Sequence, residues 1–594
     1  MHVTKLRRLI TKFLIWRLKH VSDNNFLILI ASLVGLVAGL AAVILKSAVH
    51  EISNLLDRSL NKYEINYLYL ALPVIGIFLT VILAKYIFKE RMGHGITDIL
   101  YSISKKSSII ARVKMYSRMV TSAVTVGFGG SVGLEAPIVV TGSAIGSNLA
   151  QVVHLDYKKR TLLIGCGAAG AIASIFNSPV AGVIFAMEVI LTEVTISQFI
   201  PILIASVGGQ LVSLMLLGED ILFSFKLTDP FEAGDTLHFI GLGIFCGLVS
   251  RYFVKMVQAS EGLLHRLQGD FGRAATGGLA LAIIILTFPS IYGEGYEVIK
   301  LILTGNDASI FERSFFYAYA NSTFIFLLLL ILIMLIKPVA TGFTLGSGGS
   351  GGIFAPSLFM GALTGFFFAR VFNTFYPAWD LSESNFTLVG MCGVMSGVQY
   401  APLTAIFLIA EITSGYELFV PLMIVSALSY STVSYFEKHS IYTKRLIEKG
   451  DLIQHDKDGQ VLSLINLDKI IEKDLLIISP DARLDDLVEL VKKSKRNIFP
   501  VVNDEGVLEG IVTLDEIRDI MFEEELRQTI EIRTLMTRPP AFVSLQEKMQ
   551  SVMNKFELTQ AWNLPVVEDG KYYGFISKSR IFNAYRTKLK QQSK

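Results

Sequence analysis

The chain has 594 residues, more than one folding unit at ~150 residues per domain. Hydrophobic residues make up 52% and charged residues only 18%, against about a quarter in an average soluble protein, which disfavours a disordered chain, a coiled coil and an ordinary soluble enzyme. Lysine and arginine (54) nearly balance aspartate and glutamate (51), so the net charge of +3 gives no sign of a nucleic-acid partner.

Residues 25–48 carry no charge until Lys46, a run long enough to cross ~30 Å of hydrocarbon as a helix. It is longer than the apolar core of a secretory signal and no small-residue cleavage site closes it, so a membrane span is expected. Further apolar runs lie at about 66–88, 195–217, 236–256, 277–288, 322–337 and 403–430. Between them, 127–147, 165–182, 341–366 and 390–405 hold too much glycine to be expected as simple helices. Interrupted apolar segments at bilayer depth are tolerated where they are buried in protein or line a cavity, which points to a transport pathway. Cys166, Cys246 and Cys392 stand far apart in apolar stretches and fit small buried hydrophobes rather than a disulfide or zinc framework.

The N-terminal residues 1–24 include Lys5, Arg7, Arg8, Lys12, Arg17 and Lys19, a basic cluster that the positive-inside rule places in the cytoplasm. A basic helix lying on the membrane face gives the same sidedness. Lys105, Lys106, Arg112, Lys114 and Arg118, and Lys158, Lys159 and Arg160, fit inward-facing ends as well. Past Tyr442 charged residues become frequent and no run is long enough to span. The expected division is therefore a cytoplasmic N-terminus (1–24), a membrane domain (25–445) and a cytoplasmic domain (446–594).

The membrane domain repeats itself. GGSVGLEAP at 129–137 matches GGSGGIFAP at 348–356, and FNSPVAGVIFAMEV at 176–189 matches QYAPLTAIFLIAEI at 399–412, the two proline pairs being offset by 219 and 223 residues. Repeated halves with broken helices place a transporter's substrate site at the repeat interface. Glycine-rich turns leading into helices present unpaired N–H groups and the positive end of the helix dipole, so the natural ligand is an anion. A cation path would call for more intramembrane carboxylates than Glu135, Glu188 and Glu411. Glu135 stands inside one turn where the other half has Phe354. It either occupies the anion site and leaves on protonation, as gate and proton acceptor, or merely caps the helix. Glu188 and Glu411, at equivalent places, suit a symmetric structural task such as bonding a neighbouring helix end.

These residues closely resemble the CLC family of chloride channels and proton-coupled anion transporters, over most of 25–445. The family's three signature stretches correspond here to Gly93-His94-Gly95-Ile96-Thr97, Gly133-Leu134-Glu135-Ala136-Pro137 and Gly352-Ile353-Phe354-Ala355-Pro356. The resemblance implies a helical polytopic membrane protein of inverted repeats and a homodimer with one pore per subunit. It also implies that Glu135 is the gating glutamate and that the anion is held at His94, Gly95, Ile353, Phe354 and Tyr442. There are three departures from the pattern. His94 replaces a serine, so its backbone N–H or its ring serves the anion, or the ring points into a polar interface. Leu134 and Ala136 replace a basic residue and a glycine. Val189 stands where proton-coupled members carry an internal proton-relay glutamate, and an aliphatic side chain carries no proton.

The soluble region holds a second repeat, about 470–522 and 532–586, anchored by FPVV at 499–502 and LPVV at 564–567 and by Gly510 and Gly574. Each copy reads as strand, amphipathic helix, strand, turn, strand, helix. The pattern resembles paired CBS (cystathionine β-synthase) domains, which sometimes bind adenine nucleotides. By that resemblance Thr513, Glu516 and Ser577 are candidate nucleotide contacts, while Arg580 stands where a ribose-binding carboxylate is usual. The other reading is a dimerisation and coupling platform without ligand.

The expected function is passive chloride conduction gated by Glu135 and modulated by the cytoplasmic pair. The alternatives are chloride/proton antiport and, more distantly, a membrane-anchored nucleotide sensor. No required cofactor is expected. Without a phosphate loop, metal-ligand cluster or nucleophile-base constellation, an enzyme is not expected, and the cell membrane is the expected location.

Overall fold

The computed structural model describes residues 17, 19–58, 68–90, 95–191, 196–218, 231, 233–311, 314–317, 322–413, 415–448, 462 and 465–592. His94, most of the basic N-terminal cluster and the stretch 449–461 lie outside the described residues. The chain forms two compact units, 1–452 and 453–594.

The first unit is helical. Its first half contains α1 (Asp23–Arg58), α2 (Leu68–Ile82), α3 (Gly95–Lys105), α4 (Ser117–Gly127), α5 (Glu135–Val152), α6 (Tyr157–Phe176), α7 (Pro179–Phe185) and α8 (Ile196–Leu217). The second half contains α9 (Thr236–His265), α10 (Asp270–Thr287), α11 (Tyr296–Leu303), α12 (Thr323–Gly346), α13 (Phe354–Phe375), α14 (Glu383–Gln399), α15 (Pro402–Ile412), α16 (Phe419–Phe436) and α17 (Ile441–Glu448). Among the described residues nine helices are long and apolar enough to cross a membrane. The apolar run at 403–430 is two helices, α15 and α16, separated at 413–418.

The glycine-rich stretches fold otherwise than the composition suggests: large parts of them are regular helix, within α5, α6, α13 and α14. Their glycines serve close approach. A Cβ on Gly142 would stand 2.2 Å from the Gly167 carbonyl oxygen, and one on Gly167 would stand 1.9 Å from that of Gly142, so α5 and α6 meet backbone to backbone. Gly361 and Gly390, displaced by the same two offsets, bring α13 and α14 together in the same way, each Cβ meeting the other's carbonyl at 2.5 Å. The most apolar windows of α6 and α13 are 83% and 78% buried, against 33–50% in the other seven spanning helices, so one helix from each half is sunk in protein while the others leave more surface exposed. Of the basic residues assigned to inward ends, Lys114 and Arg118 are tied down: Lys114 pairs with Asp98 at 2.8 Å, and Arg118, 3% exposed, pairs with Asp98 at 3.3 Å.

In the second unit each copy of the soluble repeat is a two-stranded antiparallel ribbon packed on helices. The first has α18 (Leu484–Lys493), β1 (Ile498–Val502), β2 (Leu508–Thr513) and α19 (Leu514–Ile517). After the short helices α20 (Glu524–Thr529) and α21 (Ile532–Leu535), the second has α22 (Met549–Thr559), β3 (Asn563–Glu568), β4 (Lys571–Ser577) and α23 (Lys578–Gln592). Both ribbons shift register at the same place, between Val501 and Val502 and between Val566 and Val567. The expected first strand of each copy is reduced to one parallel bridge, Ile478 to Val501 and Val543 to Val566.

Candidate functional site

The two glycine-rich turns of the repeat meet. Gly133 donates its N–H to the Gly352 carbonyl at 2.9 Å and Gly352 donates to Gly133 at 2.8 Å, a one-pair antiparallel bridge between equivalent residues of the two halves. From this bridge α5 and α13 begin, so two helix N-termini converge at the repeat interface. Their first residues are Glu135 and Phe354, both 2% exposed, and Ile353 is 7% exposed. Phe354 stacks on Phe176 at the end of α6, with ring centroids 5.0 Å apart.

Glu135 is folded back over its own turn. A Cβ on Gly133 would lie 2.0 Å from Glu135 Oε2 and 2.9 Å from the Ala355 Cβ, so the carboxylate rests against the start of α13. The neighbouring backbone donors are its own N–H and that of Ala355, although Oε2 makes no bond of full hydrogen-bond geometry. The negative group of one half thus sits at the positive end of the other half's helix, where an anion would sit.

The other oxygen, Oε1, accepts from the Tyr296 hydroxyl at 2.5 Å. Tyr296 opens α11 and ends the sequence Gly293-Glu294-Gly295-Tyr296, in which Glu294 Oε1 accepts the Leu134 N–H at 3.2 Å. This loop is held by Lys337, 0% exposed, whose ammonium donates to the carbonyls of Ile291 and Gly293, each at 3.2 Å, and lies 4.7 Å from the Phe359 ring centre. Sequence reasoning missed Glu294, Tyr296 and Lys337. The signals were a glutamate and a tyrosine alternating with glycines, and a lysine closing the apolar run 322–337.

The remaining expected site residues distribute as follows. Tyr442 lies in α17, 8% exposed, and its carbonyl accepts from Thr97 Oγ1 at 3.1 Å, which ties α17 to α3 just past Gly95. Val189 lies in the π-helical turn Ala186–Ile190 after α7, half-buried against the core. Its neighbour Glu188 accepts from the N–H groups of Leu403 and Thr404 at 3.1 and 2.8 Å and from Thr404 Oγ1 at 2.7 Å, at the start of α15. Glu411 does the same for α7, accepting from Val180 and Ala181 at 3.0 and 2.9 Å. The two carboxylates cap each other's helices across the repeat, the structural task their symmetric spacing suggested.

In the second unit, Glu516 is engaged locally: Thr513 donates to its Oε2 from both N–H (2.7 Å) and Oγ1 (2.9 Å), forming the cap of α19. Ser577 donates to Glu472 Oε1 at 2.7 Å, and Glu472, 6% exposed, also pairs with Arg496 and lies 3.6 Å from the Arg580 guanidinium. Among the described residues no group of three or more histidine, cysteine, aspartate or glutamate side chains is placed to hold a metal.

A repeated pair of glycine turns from which two helix N-termini converge, with a carboxylate between them, fits a multi-pass anion-transport protein. The family model described as voltage gated chloride channel matches residues 75–434, and the CBS domain model matches 467–523 and 532–587. The chain belongs to the voltage gated chloride channel (CLC) family and ends in paired CBS domains. Similar curated proteins include chloride channel protein CLC-f of Arabidopsis thaliana, 28% identical, with 72% of this chain and 60% of that protein covered. The H(+)/Cl(-) exchange transporter ClcA of Cronobacter sakazakii is 27% identical, with 69% and 86% covered. Among solved structures, a slow cyanobacterial Cl-/H+ antiporter shares the fold with a TM-score of 0.62 at 22% identity, over 73% of this chain and 99% of that one.

Proposed function

We propose that the protein is a homodimeric chloride channel of the cell membrane, with both termini cytoplasmic, in which Glu135 is the gate of each subunit's pore. The observation that carries this reading is the position of the Glu135 carboxylate at the N-terminus of α13, blocking the place that backbone N–H groups near Ile353 and Phe354 would offer an anion. Protonation removes its charge and with it the electrostatic reason to stay there, so chloride replaces it. Gly95, Ile353, Phe354 and Tyr442 are the proposed anion contacts, together with His94.

Passive conduction rather than exchange is favoured by the inner side of the path. Val189 carries no proton, and the adjacent Glu188 is committed to capping α15. The second reading, chloride/proton exchange, is favoured by relatives named as exchangers. Purified protein in chloride-loaded vesicles separates them. With valinomycin as shunt, chloride efflux rises as external pH falls, Glu135→Gln conducts without that pH response, and a chloride gradient drives no proton uptake. Proton uptake in fixed ratio to chloride would establish exchange, and absence of efflux would remove both readings.

The CBS pair is proposed as a platform that modulates conduction. Thr513, Glu516 and Ser577 are the contacts available to an adenine nucleotide, but Glu516 and Ser577 already have partners within the fold, which supports the ligand-free role.

A further inference from the structure

We infer that the segment Gly293–Tyr296 is a latch for the gate: Tyr296 holds Glu135 in its closed position, and the charge of Glu294 sets the pH at which Glu135 lets go. This rests on Glu135 being the gate and assigns positioning roles to two residues that no signature stretch contains.

Glu135 reaches out of its turn in two directions, and only one ends in a hydroxyl. At Oε2 it leans on α13; at Oε1 it receives the Tyr296 hydroxyl proton at 2.5 Å. A phenol donating to a carboxylate is a charge-assisted hydrogen bond, strong while the carboxylate is ionised and weakened once it is protonated. Tyr296 therefore stabilises the closed, charged state selectively. Glu294 acts with the opposite sign. It is anchored beside the gate by the N–H of Leu134, the residue directly before Glu135, and two negative charges at such range disfavour each other. Burial, and then the charge of Glu135, push the Glu294 carboxyl up to about 8, so the two carboxyl groups titrate as a pair rather than independently.

The latch is rigidly mounted. Lys337 binds the carbonyls of Ile291 and Gly293, Ser131 Oγ donates to the Ile291 carbonyl at 3.0 Å, and the Gly293 N–H donates to the Gly129 carbonyl at 3.3 Å. The loop from the second half is thereby fastened to the glycine turn of the first. The other charged or titratable groups that face this pair are Lys46 of α1 and Lys337 of α12 on the Glu294 side, and Tyr442 of α17 on the Glu135 side. All three remain in the variants below, so the shifts report the latch itself.

The test uses the full chain in phosphatidylcholine–phosphatidylglycerol vesicles, with valinomycin-initiated chloride efflux read at external pH between about 4 and 8. Tyr296→Phe removes a bond that only the ionised gate uses fully, so the pH midpoint of efflux rises by about one unit. Glu294→Gln removes a neighbouring negative charge, so Glu135 stays ionised to lower pH and the midpoint falls by about one unit. Glu294→Asp keeps the charge and stays near wild type, which guards against a general loss of structure. In the Glu135→Gln background neither change alters the pH profile. Midpoints that do not move, or that move in the same direction, overturn the latch. If Glu135→Gln alone keeps the wild-type profile, it is the gate assignment that fails.

Discussion

Glycine at 133 is the residue on which the proposed closed position of Glu135 depends most directly. Its missing side chain is the space Glu135 Oε2 occupies, since a Cβ there would stand 2.0 Å from that oxygen. Its N–H and carbonyl are both committed to Gly352, so the turn cannot swing away to make room. Gly133→Ala therefore displaces the carboxylate rather than the backbone. Overpacking of about 1–3 kcal/mol falls mostly on the closed state, the milder 2.9 Å approach to the Ala355 Cβ remaining in both, so efflux at neutral pH rises up to about tenfold while its pH response weakens. Efflux at or below the wild-type level in a folded Gly133→Ala protein would show that the carboxylate is not the obstruction. Glu135 and its glycines were legible in the sequence because they lie within one nine-residue motif. Tyr296 was not, because it meets Glu135 from 161 residues away and no periodicity marks such a contact.

Helices in this fold are held at their broken ends as much as along their sides. α7 and α15 start at prolines, and each receives a carboxylate from the other half: Glu411 for Val180 and Ala181, Glu188 for Leu403 and Thr404. An unpaired N–H in apolar surroundings has no water to turn to. Glu411→Ala should cost about 1–3 kcal/mol per orphaned donor, seen as a lowered melting temperature in detergent, and Glu411→Gln, which retains an acceptor oxygen, should lose less. Equal melting of wild type and Glu411→Ala would assign those N–H groups another partner. The spacing of these glutamates from their prolines was readable because it repeats. Glycine content was misleading for α5, α6, α13 and α14: it suggested broken backbone, whereas most of these glycines lie in continuous helix, packed where two helices touch. Composition does not distinguish a glycine needed for a turn from one needed for contact.

Across the whole molecule, charge is used in two different ways. In the membrane unit Glu135, Glu188 and Glu411 meet helix N-termini, whereas in the CBS unit Glu516 caps its own short helix and Glu472 is matched with arginines. Glu472 takes the hydroxyl of Ser577 and lies against Arg496 and Arg580, so the two cations that would attract a phosphate already have a buried counter-charge. In the first repeat Glu516 spends its oxygen on Thr513, so a ribose would have to break a helix cap to reach it. Nucleotide binding would therefore start from the loss of existing bonds. A ligand at a hundred times its dissociation constant would stabilise the folded chain by about 2.7 kcal/mol, several degrees in melting temperature for a domain of this size. The expectation for the full-length protein in detergent is a melting temperature unchanged by millimolar ATP or ADP. Glu472→Gln is expected to keep the fold, to free Arg580 and to leave Arg496 only Asp474 at 3.5 Å, so any ATP response appears first in that variant. A shift of about 3 °C or more in the wild type would make the CBS pair a nucleotide sensor and would require Glu472 to yield its partners on binding.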